Sequence, residues 1–321
     1  MTAPALIALD WGTTSLRAYL LGDDATALDT RASSAGIMKL PAGGFDEAFE
    51  ETCGAWLDAH PRLPVIAAGM IGSAQGWIEA PYVDTPADAN ALVAGIVTVT
   101  AARGVTVRVV PGVLERGVLP NVMRGEETQI VGALSADASL SAPGGALIGL
   151  PGTHAKWAFV EDGRIERFYT FMTGETFSAL RDHTILGRTM QHGAAPDAAA
   201  FIRGVDTARD AGHPGLLATI FSTRTLGLTG QLTPEQQPDY LSGLLIGHEL
   251  RGLNEVLARD ASSLAGRTLR LIGNDALCDR YRAALARFDC QDAQTVAHAT
   301  EHGLYRIAAQ AGLVNAPASA A

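Results

Sequence analysis

The chain has 321 residues, of which 47% are hydrophobic and 18% charged, and its formal net charge is -10. That length suits two domains with separate cores, and that apolar fraction buries enough surface to offset chain entropy, so a disordered chain is excluded. The acidic balance argues against a generic nucleic-acid binder, which clusters Lys and Arg to neutralise phosphates; an anionic ligand here needs a local collection of cations, helix N-termini or a metal.

Met1-Thr2-Ala3-Pro4 leads into a strand with no basic region or cleavage site, and no run approaches 18 apolar residues. The expectation is a cytoplasmic protein that neither spans a membrane nor is exported. Cys53, Cys278 and Cys290 show no C-x-x-C spacing, which argues against a disulfide framework or a structural zinc site.

The apolar runs ending at Asp10 and starting at Leu16, with Gly12-Thr13-Thr14-Ser15 between them, predict a hairpin. A helix is predicted over 45–60, a buried strand over 65–70, a helix over 87–103 and a strand over 106–110, an alternation that implies an α/β domain. A Ser/Pro/Gly-rich connector over 135–145 precedes a new strand at Ala146–Leu150, where the chain begins again. At an offset of 140, Gly12-Thr13 falls on Gly152-Thr153, Ala18 on Ala158 and Tyr19 on Phe159, which predicts a duplication; the competing reading is that hairpins look alike. The stretch 187–266 reads as mostly helical. A strand at 268–272, helices over 276–287 and 300–313, and a frayed Ala/Ser/Pro tail complete the chain.

Several segments carry groups suited to chemistry. Asp10-Trp11-Gly12-Thr13-Thr14-Ser15 places a carboxylate before a turn rich in N–H groups and hydroxyls, a natural phosphate cradle or else a capped hairpin turn. Asp10 repels phosphate directly and makes sense as a group that orients hydrated Mg²⁺. In the second copy, Gly152-Thr153-His154-Ala155-Lys156, Leu150 stands where Asp10 stood. His154 donates to phosphate or satisfies the turn, and Lys156 balances phosphate charge or is a solvated strand-edge lysine. Gly273-Asn274-Asp275 follows a buried strand and opens a helix, fitting an adenosine contact or an ordinary helix cap.

Arg124-Gly125-Glu126-Glu127 opens another helix. Acidic residues there favour the helix dipole, yet phosphoryl transfer to a hydroxyl needs a carboxylate to position the nucleophile and take its proton. Glu126 is the candidate base and Glu127 the reserve. The loop after the 65–70 strand offers Ser73, Gln75 and Trp77 to a small polar ligand, or is a plain loop with a core tryptophan. Arg17, Lys39 and Arg124 are the nearest cations, either solvated or paired with an acidic ligand.

Taken together, both phosphate loops and the Gly273-Asn274-Asp275 segment, in this order, resemble the actin-like superfamily of sugar kinases, acetate kinases, chaperone ATPases and actin. More closely, Leu9–Arg17, Gly69–Ser73, Gln75–Trp77, Arg124–Gln129, Leu150–Trp157 and Thr170–Glu175 resemble the 2-dehydro-3-deoxygalactonokinases, over roughly residues 5 to 310. The resemblance implies an α/β chain of two actin-like (ribonuclease H-like) domains with a nucleotide cleft between them. Residues 1–140 would hold the substrate side and first phosphate loop; residues 141–321 would hold the second loop, the adenosine segment and a helical insertion at about 187–266. It implies ATP and Mg²⁺, and transfer of the γ-phosphoryl to the terminal 6-hydroxyl of 2-dehydro-3-deoxy-D-galactonate in galactonate breakdown.

One departure concerns the base: superfamily kinases commonly use Asp, whereas Glu126-Glu127 stands here. Neither a G-x-x-x-x-G-K-[ST] loop nor a G-x-G-x-x-G following a strand occurs. The remaining alternatives are a kinase for the gluco epimer or another sugar acid, a phosphohydrolase of the same fold, and a nucleotide-gated interaction protein. No nucleic-acid or membrane partner is expected; oligomeric state stays open, with a homodimer the state to test.

Overall fold

Strand β1 (Pro4–Trp11) turns back through β2 (Leu16–Gly22) into β3 (Ala27–Ser33), and the antiparallel register sets Asp10 opposite Arg17 and Trp11 opposite Leu16. The computed structural model describes residues 2–142 and 144–316. Helix α1 (Phe45–Ala59) follows, then β4 (Val65–Ala68), which runs parallel to β1. Next come β5 (Tyr82–Asp84), α2 (Ala89–Ala94), β6 (Val97–Thr100), β7 (Thr106–Val109), β8 (Gly112–Glu115), β9 (Asn121–Met123) and α3 (Glu126–Ala136). Ile7, Leu9 and Trp11 alternate onto the face that meets Phe49, Cys53, Trp56 and Leu57 of α1, which share a helical stripe.

The helix expected over 87–103 stops at Ala94. Gly95 ends it, and Val97-Thr98-Val99-Thr100, β-branched throughout, pairs antiparallel with β7 at the sheet edge. The χ1 restriction of such residues disfavours continued helix and suits a pleated strand.

The chain resumes with β10 (Ala146–Leu150), β11 (Ala155–Glu161), β12 (Arg164–Phe171), α4 (Thr173–His183), α5 (Ala198–Ala211), α6 (Leu216–Thr219), α7 (Ser222–Leu228) and α8 (Gln237–Arg259). It ends with β13 (Leu269–Leu271), α9 (Asp275–Ala286), β14 (Gln294–Thr295) and α10 (Ala299–Gln310). The region 187–266 is helical, as expected, with α5 packed along α8. From Pro317 the tail lies outside the described residues.

The sheet orders display the duplication. The first sheet runs β3-β2-β1-β4-β7-β6 and the second β12-β11-β10-β13-β14, so the first five strands of one correspond in order to those of the other. β4 and β7 lie parallel beyond β1, as β13 and β14 do beyond β10. The expected resemblance of two hairpins is a resemblance of two sheets.

Two compact units result. One takes in the chain up to Ala146, Ala158–Phe168 and the chain from Val296; the other takes in Leu147–Trp157 and Tyr169–Thr295. A single cut at 140/141 put the last helix in the second domain, whereas α10 packs on α3 in the first unit. Small residues make that packing close: a Cβ on Gly132 would stand 1.8 Å from the Ala299 carbonyl oxygen, and one on Gly303 1.9 Å from that of Thr128. Gly132→Leu is therefore expected to cost about 2–3 kcal/mol through overpacking, read as a fall in the urea midpoint; an unchanged midpoint would show that the helices can part freely. The three cysteines are buried and free, and among the described residues no helix is long and apolar enough to cross a membrane.

Candidate active site

In the first unit the turn after β1 is closed by the Gly12 amide donating to the Ser15 carbonyl at 2.9 Å. The Gly12 and Thr13 carbonyls accept from the amides of Ile37 and Met38 at 3.1 and 3.2 Å, and Trp11 Nε1 donates to the Ala35 carbonyl at 2.7 Å. The turn is thereby anchored through its carbonyls, while Thr13, Thr14 and Ser15 stay exposed. Phosphate needs hydroxyl and amide donors, so this division suits a cradle.

Two glycines bring remote segments to Asp10. Gly69, at φ 97°, would set a Cβ 2.9 Å from the Trp11 carbonyl oxygen and 3.6 Å from Asp10 Oδ1; Gly125, at φ 110°, would set one 3.3 Å from Gly69 Cα. Both positions need the left-handed region and the missing side chain. The end of β1, the turn after β4 and the turn before α3 therefore meet at backbone contact.

Neighbouring glutamates at the start of α3 differ sharply. Glu127 is fully buried; its carboxylate accepts from the Gly125 amide at 2.7 and 2.9 Å and from Thr128 Oγ1 at 3.0 Å. Burial, reinforced by Glu126, pushes its pKa up to about 7. Glu126 is half-buried and accepts from the Arg124 amide at 3.0 Å. Asp10 is half-buried, and its pKa is raised by burial, lowered by Arg17 across the hairpin, and raised by Glu126 and Glu301. Glu301, on α10, had no signal in the sequence beyond an acidic first turn, because its proximity to Asp10 depends on where α10 docks. It also helps hold the Tyr19 hydroxyl at about 12, after the larger effect of burial.

Arg124 stacks its guanidinium 4.4 Å over the Tyr82 ring and donates from Nη2 to the Ala80 carbonyl at 2.9 Å. Its Nε and Nη1, and Ser73 Oγ, are buried without a hydrogen-bond partner among the described residues. Arg17 and Gln75 are exposed. Trp77 packs into an aromatic cluster, stacked on Phe45 with ring centroids 6.0 Å apart and edge-on to Trp11 at 5.9 Å; an apolar ring in that setting supports the turn that carries Ser73.

In the second unit, Gly152 and Thr153 form the turn between β10 and β11. The first turn of α4 lies on it: a Cβ on Gly174 would stand 2.5 Å from the Gly152 carbonyl oxygen, and the Glu175 amide donates to the Thr153 carbonyl at 3.0 Å. His154 Nε2 sits 2.5 Å from Glu175 Oε2. Lys156 is buried, not the solvated strand-edge residue that was one of its two readings. Gly273 reaches the same turn, since a Cβ there would lie 3.3 Å from the Pro151 carbonyl oxygen. Asn274 Oδ1 accepts from the Ala276 and Leu277 amides at 3.1 and 3.4 Å, so its side chain caps α9, with Asp275 in the first helical turn.

Beside this turn a cavity of about 360 Å³ opens, lined among others by Gly152, Thr173, Gly174, Ser242, Leu277 and Tyr281. Behind its wall lies Glu249, a buried carboxylate that accepts from Trp157 Nε1 at 2.6 Å, from Tyr281 Oη at 2.8 Å and from Thr173 Oγ1. Burial pushes its pKa up to about 7. Sequence reasoning missed it, although a signal exists: Leu241, Leu245, Glu249, Leu253 and Leu257 recur every fourth residue of α8, and a lone carboxylate in a leucine stripe is costly unless paired.

A family model described as 2-keto-3-deoxy-galactonokinase matches residues 10–307. The chain is 33% identical over 288 residues to the 2-dehydro-3-deoxygalactonokinase of Escherichia coli (strain K12), covering 88% of this chain and 90% of that protein. It is 38% identical over 288 residues, with the same coverage, to a protein of Rhizobium meliloti (strain 1021) provisionally named 2-dehydro-3-deoxygalactonokinase DgoK1. A crystal structure from Sinorhizobium meliloti, provisionally given the same activity, superposes with TM-score 0.83 at 34% identity, covering 95% of this chain and 98% of that one. The ADPNP-bound activator of 2-hydroxyisocaproyl-CoA dehydratase from Clostridium difficile superposes with TM-score 0.50 at 12% identity, covering 96% and 95% of the two chains, and bears on the fold alone.

Proposed function

Since the chain belongs to the 2-keto-3-deoxy-galactonokinase family, we propose that it transfers the γ-phosphoryl of ATP to the terminal 6-hydroxyl of 2-dehydro-3-deoxy-D-galactonate, in the cytoplasm. Its fold is the actin-like α/β arrangement that ATPases and sugar kinases share. The observation that carries the assignment of roles is the meeting of Asp10 with Glu126 through the contact of Gly69 and Gly125. One acidic group is thus available on the phosphate side and one on the acceptor side.

Glu126 orients the acceptor hydroxyl and takes its proton as the oxygen attacks phosphorus. Glu127 is enclosed and bound to the Gly125 amide, so it shapes the turn and has no path to the substrate. Arg124 and Ser73 bring donors that have no partner among the described residues to the acid end of the substrate, with Arg17 and Gln75 at its edge. Gly12, Thr13, Thr14 and Ser15 form the phosphate-binding turn of the first unit, and Gly152, Thr153, His154 and Lys156 form that of the second. The cavity beside Gly152, with Gly273, Asn274 and Asp275 at the start of α9, takes the nucleoside.

Among the described residues no group of three or more His, Cys, Asp or Glu could hold a metal ion. Mg²⁺ ordinarily keeps several waters and needs one or two carboxylates plus substrate phosphates, so Asp10 beside the hydroxyl-rich turn fits it. When bound it would neutralise charge on the phosphates.

A coupled ADP-release assay over 2-keto-3-deoxy acids and ordinary hexoses tests the reading. Turnover is expected to be fastest with the galacto acid, and the product should carry phosphorus on the terminal oxygen by ³¹P–¹H correlation. Phosphate release without an acceptor, or faster turnover of glucose than of any keto-acid, would overturn it.

A further inference from the structure

Three elements around the second phosphate turn converge on Glu249. Trp157 lies on β11, the strand that leaves the turn; Thr173 opens α4, whose first residues lie on Gly152 and Thr153; Tyr281 belongs to α9, which begins at Gly273-Asn274-Asp275. Each sends its side-chain hydrogen to the same carboxylate, Trp157 to one oxygen and the two hydroxyls to the other. A carboxylate is the side chain suited to this task, because it accepts only and has about four lone-pair directions for three donors.

We propose that Glu249 is a positioning residue for nucleotide binding: by fixing Thr173, Trp157 and Tyr281 to one point it holds the first turn of α4 and the start of α9 in the relation that ATP requires. The inference rests on the reading of the adjoining cavity as the nucleoside site. Glu249 itself does not line that cavity; it acts through Thr173 and Tyr281, which do. On its other side, the first turn of α4 is tied to the phosphate turn through the Glu175 amide on the Thr153 carbonyl and through His154 beside the Glu175 carboxylate. Loosening Thr173 therefore shifts α4 on the loop rather than unfolding it. Preorganisation of this kind lowers the ordering cost of binding and appears in affinity.

Glu249→Gln keeps the volume but replaces an acceptor oxygen by an NH₂ group, forcing Thr173 and Tyr281 to turn their hydroxyl hydrogens away. The expected result is a KM for ATP raised about 10-fold, with kcat and the KM for the keto-acid changed less than about 3-fold, and a similar loss in direct titration with ADP. Thr173→Val should raise the KM for ATP in the same direction, and the double variant should add little to Glu249→Gln, because the tie that Thr173→Val removes is among those already lost. A lowered Tm with an unchanged KM for ATP in both single variants would reduce Glu249 to a structural role and overturn the proposal. Ala194→Trp, which fills the cavity from a loop, separates the premise from the inference. If it leaves ADP binding intact, the nucleoside reading of the cavity fails; if it abolishes binding while Glu249→Gln titrates like the wild type, only the positioning role fails.

Discussion

Replacing Glu126 with Gln is expected to lower kcat about 10²–10⁴-fold while ATP binding persists, the range over which a positioned general base contributes. The substitution keeps the side chain's size and one acceptor, so the bond from the Arg124 amide can survive through the remaining carbonyl oxygen. What disappears is the capacity to take a proton from the acceptor hydroxyl. The effect should therefore fall on kcat, with the KM for ATP and for the sugar acid close to wild type. A rapid-quench measurement of the first turnover would read the chemical step apart from product release. Wild-type turnover in this variant would remove Glu126 from the mechanism.

The second large effect is on stability and comes from Glu127. Burial raises its pKa from 4.5 to about 7, so the folded state holds a proton in a range where the unfolded chain has lost it. A folded pKa raised above the unfolded value gives stability that is fully present below the unfolded pKa and is lost as pH rises through the folded one. Between pH 4.5 and about 7 this group should thus remove about 3 kcal/mol of stability, and above that window the loss levels off. Glu127→Gln abolishes the titration. The gap between variant and wild-type unfolding free energies should widen in the variant's favour from pH 4.5 to 7.5. A gap that does not change with pH would show that Glu127 titrates at its ordinary value. Glu249 contributes a loss of the same sign over the same window, so Glu249→Gln should likewise remove part of the pH slope.

How far these groups were legible depended on whether their signal was local. Gly12-Thr13 and Gly152-Thr153 could be matched because a hairpin is built from contiguous residues, and the corresponding strand orders of the two sheets carry that match through five strands each. The helix expected over 87–103 shows the opposite case. Hydrophobic spacing alone suggested helix, but Gly95 and the alternating Val and Thr residues that follow found a partner in β7, and pairing decided the outcome. Trp77 stands near Ser73 and Gln75 in the chain, but its contacts with Phe45 and Trp11 are legible only in the fold, where a large apolar surface gains by leaving water. Glu126 and Glu127 are adjacent and of one type, and nothing local distinguishes them. Burial does, by placing one within the turn and the other beside Asp10.

The order of residues alone determined what short-range forces govern: the hairpins and their glycine turns, the amphipathic α1, the helical character of 187–266 and the acidic start of α3. The tertiary structure alone decided which charges meet. Asp10, Gly69, Gly125, Glu126 and Glu301 come together only because a sheet, two left-handed glycines and the docking of α10 on α3 close loops of tens to hundreds of residues. Glu249 gains its three donors in the same manner. The physical reason is range: hydrogen bonding along the backbone and side-chain periodicity act over a few residues. Desolvation and Coulomb interaction instead depend on distance in space, which sequence separation does not report.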